Sequence, residues 1–227
     1  METPTEEVGR SRTRGYWEEK YCTLGKLWGD APEAQARRAL ELFRNHGVGL
    51  VLDVGCGYGR VLALFEAAGL VTVGVDLAAT GLCMAREALL TNNPVAHLVQ
   101  GTAARLPFAN GTFEGVWSAN LLQLLAPGGA AAAAYEMHRV LAPGWVLAVA
   151  AFSTSDIDFG KGEHLGSNVY QYRGRTAHYY TGEELTGLLP GYRRLVLEEV
   201  TNRHKDPDGG EHTHTLWFFA GLKPKTT

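Results

Sequence analysis

The sequence predicts an α/β fold in which a mostly parallel sheet of seven strands is covered by helices on both faces. From residue 50 to residue 152, short and nearly continuous apolar segments such as Leu50–Val54 alternate with segments of helical spacing. Strands of this kind are typical of parallel sheets that are buried on both faces. Two more apolar segments, 193–201 and 214–222, flank a turn at 206–210 and are expected to close the sheet with an antiparallel edge.

The elements follow one another along the chain. The residues up to about position 14 are polar and are expected to form a mobile tail. Asp30 and Glu33 have the spacing of a capping box and predict a leading helix that ends near Gly47. Thr181 and Glu184 predict a second capping box and a short helix through residue 189. The other predicted elements are strands over 50–54, 71–76, 95–100, 113–118 and 145–152, and helices over 61–68, 78–90 and, rich in alanine, up to residue 141.

A chain of 227 residues with 45% hydrophobic residues is expected to hold one domain with a substantial core. We assign residues 1–29 to an N-terminal tail and lid, and residues 30–227 to the domain. Residues 153–180 show no clear period, and a long irregular stretch within a compact domain is usually a functional cover. They are interpreted as an insertion that covers the substrate.

Composition argues against several classes of protein. The net charge of −3 is unlike that of proteins that bind nucleic-acid phosphates, and no apolar run is long enough for a membrane helix. The polar N-terminus is unlike a signal peptide, and three scattered cysteines do not predict a disulfide framework. His212 and His214 share one face of a predicted strand, but no third ligand has a convincing spacing, so no metal is predicted. A soluble cytoplasmic protein is expected.

A glycine-rich loop carries the strongest functional signal. Gly55, Gly57 and Gly59 follow Asp53 between a predicted strand and a helix, so the chain can turn tightly and a ligand can approach the backbone. Dinucleotide-binding loops have the spacing Gly-x-Gly-x-x-Gly, whereas Arg60 stands where the third glycine would fall. This spacing disfavours a nicotinamide-dependent oxidoreductase, which is retained as a less favoured alternative.

Two acids suggest what the loop holds. Asp53 at the start of the loop suits a cationic ligand, and Asp76 at the end of the second strand suits ribose hydroxyls. A ligand with an ammonium, a sulfonium and a ribose, and without phosphate, is S-adenosylmethionine.

Four segments resemble, in order and spacing, the motifs of class I S-adenosylmethionine-dependent methyltransferases, most closely those with a methyltransferase domain 11-like core. They are residues 51–60, 73–76, 106–117 and 139–144, and the similarity covers about residues 33–152. The resemblance implies a Rossmann-like sheet and S-adenosylmethionine as cofactor, with S-adenosylhomocysteine as product. It also implies methyl transfer to an O, N or S atom of a small-molecule acceptor.

The resemblance also implies roles for single residues. Thr102 stands where family members often carry an acid, and Leu122 and Gln123 stand where related enzymes often carry paired histidines. Residues that the family pattern places around the cofactor are Asp53, Gly55, Cys56, Gly57, Gly59, Asp76, Leu77, Thr102, Ala103, Ala104, Ser118 and Asn120.

The flanks are expected to shape the acceptor side. The aromatic segment with Tyr16, Trp17, Tyr21 and Trp28 is similar to the leading segment of thiopurine-type and tellurite-resistance-type methyltransferases, which folds across the cofactor. Its alternative role is to anchor the N-terminus to the core. Within 153–180, the candidate substrate contacts are Tyr170, Tyr172, Arg175 and Tyr179, and the candidate catalytic residues are His178 and Tyr180.

These inferences predict a monomeric or homodimeric methyltransferase that acts on a small molecule, without a nucleic-acid or membrane partner. A binding module that keeps the cofactor loop but has no catalytic activity is the main alternative.

Overall fold

The computed structural model describes residues 4–90, 97–125, 128–205 and 211–225. Its strands are β1 Leu50–Val54, β2 Val71–Asp76, β3 His97–Gln100, β4 Phe113–Ala119, β5 Leu141–Phe152, β6 Glu163–Gly166, β7 Val169–Tyr172, β8 Arg175–His178, β9 Arg193–Lys205 and β10 Glu211–Leu222. Its helices are α1 Pro4–Leu24, α2 Ala34–Asn45, α3 Arg60–Ala67, α4 Ala79–Leu90, α5 Gly129–Val140 and α6 Gly182–Gly187.

One sheet of seven strands, in the order β3-β2-β1-β4-β5-β10-β9, forms the centre of the protein. The first five strands are parallel, whereas β10 pairs antiparallel with both β5 and β9. The predicted fold class is therefore confirmed. The turn predicted at 206–210 and residues 95–96 of the third predicted strand lie outside the described residues.

Helices cover both faces of the sheet because side chains alternate along each buried strand. Leu52 and Val54 pack with Met137 of α5 on one face. Val51 packs on the other face with Phe43 of α2 and Phe65 of α3. The Cα atoms of Asp53 and Trp117 are paired in register, so the carboxyl ends of β1 and β4 meet at one edge of the sheet.

The structure differs from the prediction at the N-terminal segment and at the start of the leading helix. The backbone is helical from Pro4 to Leu24, in place of a tail up to about residue 14. Helix α2 begins after Glu33, which makes no side-chain capping bond, so the predicted Asp30–Glu33 capping box is wrong. The Thr181–Glu184 capping box at α6 is confirmed, with both reciprocal hydrogen bonds.

Residues 153–180 are not irregular throughout. Strands β6, β7 and β8 form a separate antiparallel sheet of three strands within this stretch. Their alternation was invisible in the sequence because β6 is exposed along its whole length, so it shows no hydrophobic period.

No helix among the described residues is long and apolar enough to cross a membrane.

Candidate cofactor site

The glycine loop bends back over the carboxyl end of β2. Both the Gly55 and the Cys56 N–H groups donate to the carbonyl of Val75, at 2.7 and 3.1 Å. Gly55 and Gly57 have φ of 81° and 53°, a region that favours glycine. These two glycines and Cys56 line a pocket at the carboxyl ends of β1, β2 and β4.

Gly59 has a different role from the one expected. It begins α3 with φ of 80°, and a Cβ atom there would lie 2.9 Å from the Cβ of Ala85 in α4. Among the described residues, the pocket lining includes Gly55 and Gly57 but not Gly59. The third glycine of the motif therefore lets two helices approach, and its expected contact with the cofactor stays a prediction.

Asp76 joins the loop to the next turn. Its carboxylate accepts hydrogen bonds from the Gly57 and Ala78 N–H groups, each at 2.8 Å. Burial raises the pKa of Asp76, and these backbone hydrogen bonds oppose that rise. The half-buried carboxylate lines the pocket at the end of β2, where it can accept further hydrogen bonds from a ligand.

The pocket is electronegative on the side of β1. Burial raises the pKa of Asp53 well above its usual value, and the nearby Glu33 and Asp76 carboxylates add to the rise while Arg60 opposes it. Among the described lining residues, three carry carboxylates and one carries a guanidinium. A cation in this pocket would relieve the repulsion, so the site suits a positively charged ligand.

Glu33 and Arg60 are site residues that the sequence reasoning missed. Arg60 forms a 2.9 Å ion pair with Glu33 and donates to the carbonyls of Trp28 and Ala31, each at 3.1 Å. The residue that breaks the dinucleotide spacing therefore holds the 28–33 segment against the loop. No sequence signal linked Arg60 to a segment 29 to 32 residues earlier.

Helix α1 covers the pocket. Trp17 and Tyr21 of α1 line it together with Trp28 and Tyr58, and Trp28 stacks on Tyr58 with centroids 6.3 Å apart. The Glu18 carboxylate fixes the helix by accepting the Ala79 and Thr80 N–H groups at the start of α4, at 2.8 and 2.9 Å. Glu18 was also missed by the sequence reasoning.

The predicted lid residues differ in their placement. Trp17, Tyr21 and Trp28 line the pocket, whereas Tyr16 packs edge-on against Trp17 and is not among the described lining residues. With α1 in place, the cavity volume is about 130 Å³. Pockets for small ligands usually have at least about 300 Å³.

The expected adenine edge is present in part. Leu77, Thr102 and Ala103 line the pocket, whereas Ala104 is not among the described lining residues. The Thr102 hydroxyl accepts the Ala104 N–H at 3.3 Å. The predicted contact of Ala104 with the cofactor stays a prediction.

Ser118 and Asn120, two residues expected to contact the cofactor at the end of β4, are placed differently. Ser118 is buried and donates to the Val54 carbonyl at 2.9 Å, so its side chain joins β4 to β1, and its expected contact with the cofactor stays a prediction. Asn120 lines the pocket with φ of 57°, a conformation that is uncommon outside glycine. Backbone strain of this kind concentrates at functional sites.

A second cavity of about 430 Å³ adjoins the first. The two share Trp28, Glu33, Arg60, Asn120 and Leu124 as lining residues. The larger cavity is bordered by residues from the 28–34 segment, β8, β9 and β10. Its described lining residues include Arg60, Arg175 and Arg203, of which Arg60 is paired with Glu33 of the same lining, so Arg175 and Arg203 are the cations that suit an anionic ligand.

Gln123 lies at the junction of the cavities. It is 1% exposed and donates to the Asn120 side-chain carbonyl at 3.4 Å. Its own Oε1 is buried and has no hydrogen-bond partner among the described residues, and the residue lines the larger cavity. This amide oxygen can accept a hydrogen bond from a ligand.

The two expected catalytic residues, His178 and Tyr180, are not among the described residues that line either cavity. Tyr180 is 2% exposed and donates to the Leu122 carbonyl at 3.2 Å, and His178 stacks on Tyr180 with centroids 4.2 Å apart. Burial lowers the pKa of His178, which Glu184 opposes, and burial raises the pKa of Tyr180 to about 12. Both residues support the 3-10 turn Leu122–Leu124, and their catalytic role stays a prediction.

The expected substrate contacts are divided in the same way. Arg175 lines the larger cavity and lies over the Phe152 ring, 4.9 Å from its centroid. Tyr170 and Tyr179 pack against Phe159 within the insertion, and Tyr172 lies under Lys161. These three tyrosines are not among the described lining residues, and their expected contact with substrate stays a prediction.

Comparisons with known proteins agree with this geometry. A family model described as a methyltransferase domain matches residues 51–144. The chain is 35% identical over 106 residues to an 18S rRNA (guanine-N(7))-methyltransferase of Schizosaccharomyces pombe, which covers 47% of this chain and 38% of that protein. It is 38% identical over 104 residues to a demethylmenaquinone methyltransferase of Beutenbergia cavernae, with 46% and 41% covered.

The fold extends beyond these matches. The structure resembles that of 1,6-didemethyltoxoflavin-N1-methyltransferase of Burkholderia thailandensis, solved with 1,6-didemethyltoxoflavin and S-adenosylhomocysteine bound. The TM-score is 0.72 at 22% identity, with 99% of this chain and 92% of that chain covered. The chain spans less than half the length of the two curated relatives, 38% and 41%. The matched methyltransferase domain and the strand order together support a class I S-adenosylmethionine-dependent methyltransferase.

Proposed function

We propose that this protein transfers the methyl group of S-adenosylmethionine to an O, N or S atom of a small, anionic acceptor. The observation that carries the proposal is the junction of two cavities at Asn120 and Leu124. The smaller cavity has the residues for the cofactor, and the larger one has the size and charge for an acceptor.

The smaller cavity has residues whose chemistry suits each part of the cofactor. Asp53 and Glu33 lie where a sulfonium or ammonium group would offset their charge. Asp76 accepts two backbone N–H groups at the end of β2, where ribose hydroxyls can also donate to it. Gly55 and Gly57 admit the ligand close to the backbone. The proposed cofactor residues are Asp53, Gly55, Cys56, Gly57, Asp76, Leu77, Thr102, Ala103 and Asn120.

The larger cavity supports an acceptor of compact size. Its volume of about 430 Å³ lies within the range of about 300–1,000 Å³ for small-molecule sites. Arg175 and Arg203 provide cationic groups, and Gln123 provides a buried amide oxygen beside Asn120. An acceptor that carries an anionic group and a hydrogen-bond donor would satisfy both.

Catalysis is proposed to depend mainly on position. When bound, S-adenosylmethionine supplies an already activated methyl group. The residues at the junction then hold the acceptor in line with this methyl group and exclude water. Holding the two reactants close together in this orientation lowers the entropic part of the barrier. Neither His178 nor Tyr180 is among the described residues that line the two cavities, so the proposal includes no side-chain general base.

Helix α1 is proposed to act as the lid. The cavity that it leaves is smaller than a typical ligand site, so cofactor entry requires α1 or the 28–33 segment to move outward. Closure of the aromatic rings Trp17, Tyr21 and Trp28 would then shield the sulfonium from water.

A second candidate acceptor is RNA, because one relative is named for methylating a guanine of 18S rRNA. The small molecule is favoured by the bounded cavity and by the net charge of −3, which is unlike that of a protein that binds polyphosphate chains. Cytoplasmic location is proposed from the three free cysteines, which are typical of a reducing compartment.

The two acceptor classes can be separated by following the methyl group. Cell extract is divided into a small-molecule filtrate and an RNA fraction, and each is incubated with the protein and S-adenosylmethionine labelled in its methyl group. We expect label to enter the filtrate because the acceptor cavity is small and bounded. Label in RNA alone would overturn the small-molecule acceptor, whereas the proposed methyltransferase activity would still stand.

Asp76→Ala is the control for cofactor dependence. It removes the proposed ribose contact and should lower labelling at least tenfold, since a lost charged hydrogen bond costs about 1.5–3 kcal/mol. Cofactor binding without labelling in either fraction would favour the non-catalytic binding module.

A further inference from the structure

A cluster of metal-ligating side chains lies outside the proposed cofactor site. His212 and His214 alternate on β10, so their side chains share one face, and Asp158 follows β5 in the insertion. One ligand atom from each residue lies within 4.8 Å of the others. The spacing of residues along the chain did not identify this third ligand, because Asp158 comes from a distant segment and reaches β10 only in the folded protein.

Asp158 is oriented toward the histidines. Its side chain is 4% exposed, one carboxylate oxygen lies 3.2 Å from the Lys161 ammonium, and the other lies 3.6 Å from His212 Nε2. Lys161 and His212 thus contact the two different oxygens of one buried carboxylate, and these contacts fix its orientation toward β10.

His214 has the supporting carboxylate that metal-bound histidines usually have. Its Nδ1 lies 2.9 Å from one oxygen of Asp156 and 3.2 Å from the other. The Asp156 side chain is itself fixed, because it accepts the Thr215 N–H at 2.8 Å and the Asp158 N–H at 2.9 Å. A histidine that donates its Nδ1 proton to a carboxylate coordinates a metal through Nε2.

We propose that Asp158, His212 and His214 bind a zinc ion, with Asp156 as the carboxylate that orients His214. Two imidazole nitrogens and one carboxylate oxygen are ligands that Zn²⁺ accepts in tetrahedral sites, with the fourth position left for water or another ligand. Bonds of about 2.0–2.1 Å place tetrahedral ligand atoms about 3.3–3.4 Å apart. The His212–Asp158 pair is already near this spacing at 3.6 Å, and small side-chain rotations close the rest.

The charge of the cluster agrees with a divalent cation. Asp156 and Asp158 are buried carboxylates, 5% and 3% exposed, within one small volume. Lys161 already pairs with Asp158, so the two carboxylates and this ammonium leave a net negative charge that a zinc ion bound by neutral histidines would offset. His214 also lines the larger cavity and stacks on Phe152 at 4.8 Å, so the zinc site borders the proposed acceptor site without depending on it.

The proposal is tested by zinc binding to the full chain without an affinity tag. Cys22 and Cys83 are exposed thiols that also bind zinc, so both are first replaced by serine. We expect one equivalent of zinc after dialysis, with affinity at least tenfold lower in His212→Ala and in Asp158→Asn. Asp156→Asn should weaken binding about 10–100-fold, the usual effect of removing a supporting carboxylate.

His97→Ala is the matched control, because His97 is an exposed histidine of β3, at the opposite edge of the sheet. Its zinc affinity should equal that of the parent protein. Co²⁺ added to the parent should give the strong visible absorption of a tetrahedral complex, a result that does not depend on any variant folding. Absence of that absorption, or zinc binding unchanged in His212→Ala, would overturn the proposal.

Discussion

At the residue scale, the glycines of the motif have two distinct physical roles. Gly55 and Gly57 line the pocket and let the ligand approach, whereas Gly59 lets α4 approach α3. All three have positive φ, so conformation alone does not separate the roles. The difference lies in what a Cβ atom would meet, which is the Cβ of Ala85 at 2.9 Å for Gly59.

Gly59→Ala is therefore expected to cost more stability than a change that introduces strain alone. Gly69 provides the matched control, since its φ is +87° and a Cβ there would meet nothing within 4 Å. Gly69→Ala should lower the free energy of unfolding by about 1–2 kcal/mol through left-handed strain. Gly59→Ala should lower it by about 2–4 kcal/mol, because the clash with Ala85 adds to that strain.

Urea denaturation followed by circular dichroism measures both values. Equal losses for the two variants would show that the α3–α4 contact adjusts freely, contrary to the role assigned to Gly59.

At the element scale, α1 is joined to the rest of the fold by a helix cap. Glu18 accepts the first N–H groups of α4, which no residue of α4 itself can satisfy. Its negative charge also lies at the positive end of the α4 dipole. The rings of Trp17 and Tyr21, on the same helix, complete the contact over the pocket.

Glu18→Gln should destabilise the protein by about 1 kcal/mol at neutral pH, the usual effect of weakening a helix cap. Burial raises the pKa of Glu18, but the hydrogen bonds from Thr80 and Ala79 outweigh it, so the pKa is lower in the folded than in the unfolded state. The stabilisation is therefore complete above the unfolded pKa and is lost as the pH falls through the folded pKa.

The measurement compares unfolding midpoints of the parent and variant at neutral pH and at about pH 3, below the ordinary carboxyl pKa. Glu19→Gln is the control, because Glu19 is an exposed neighbour on the same helix. A Glu18→Gln penalty that stays constant with pH would contradict the capping role.

At the scale of the whole molecule, the strand order determines where the ligand binds. The chain order reverses between β1 and β4, with β2 and β3 on one side and β5 on the other. Connections leave these two strands in opposite directions, so a crevice opens at their carboxyl ends. Asp53, Asp76 and Asn120 all stand at this edge, although they are distant in sequence.

S-adenosylhomocysteine is expected to stabilise the whole fold, because it binds where β1, β2, β4 and α1 meet. A concentration one hundred times its Kd adds about 2.7 kcal/mol, which corresponds to a rise in Tm of about 5–10 °C for a chain of this size. NADH should produce no rise. Thermal unfolding with each ligand measures this, and stabilisation by NADH alone would favour the oxidoreductase alternative.

Much of the cofactor site was predictable from the sequence because its parts are local. A strand that ends in an acid, a glycine turn and a helix start lie within a dozen residues, and backbone sterics determine their shape. The same holds for the Thr181 capping box. Side-chain direction was harder to predict, since Ser118 and Tyr180 turn toward carbonyls of neighbouring elements and away from the cavities.

The sequence by itself determined the alternation of strands and helices, the glycine loop and the two acids, because hydrophobic period and turn chemistry act over short distances. Only the tertiary structure decided that Arg60 pairs with Glu33, that Glu18 caps α4, and that Asp158 meets the histidines of β10. Each of these pairs joins segments with no periodic relation in the chain. Their meeting depends on how the layers pack, which a pattern along one strand or helix does not encode.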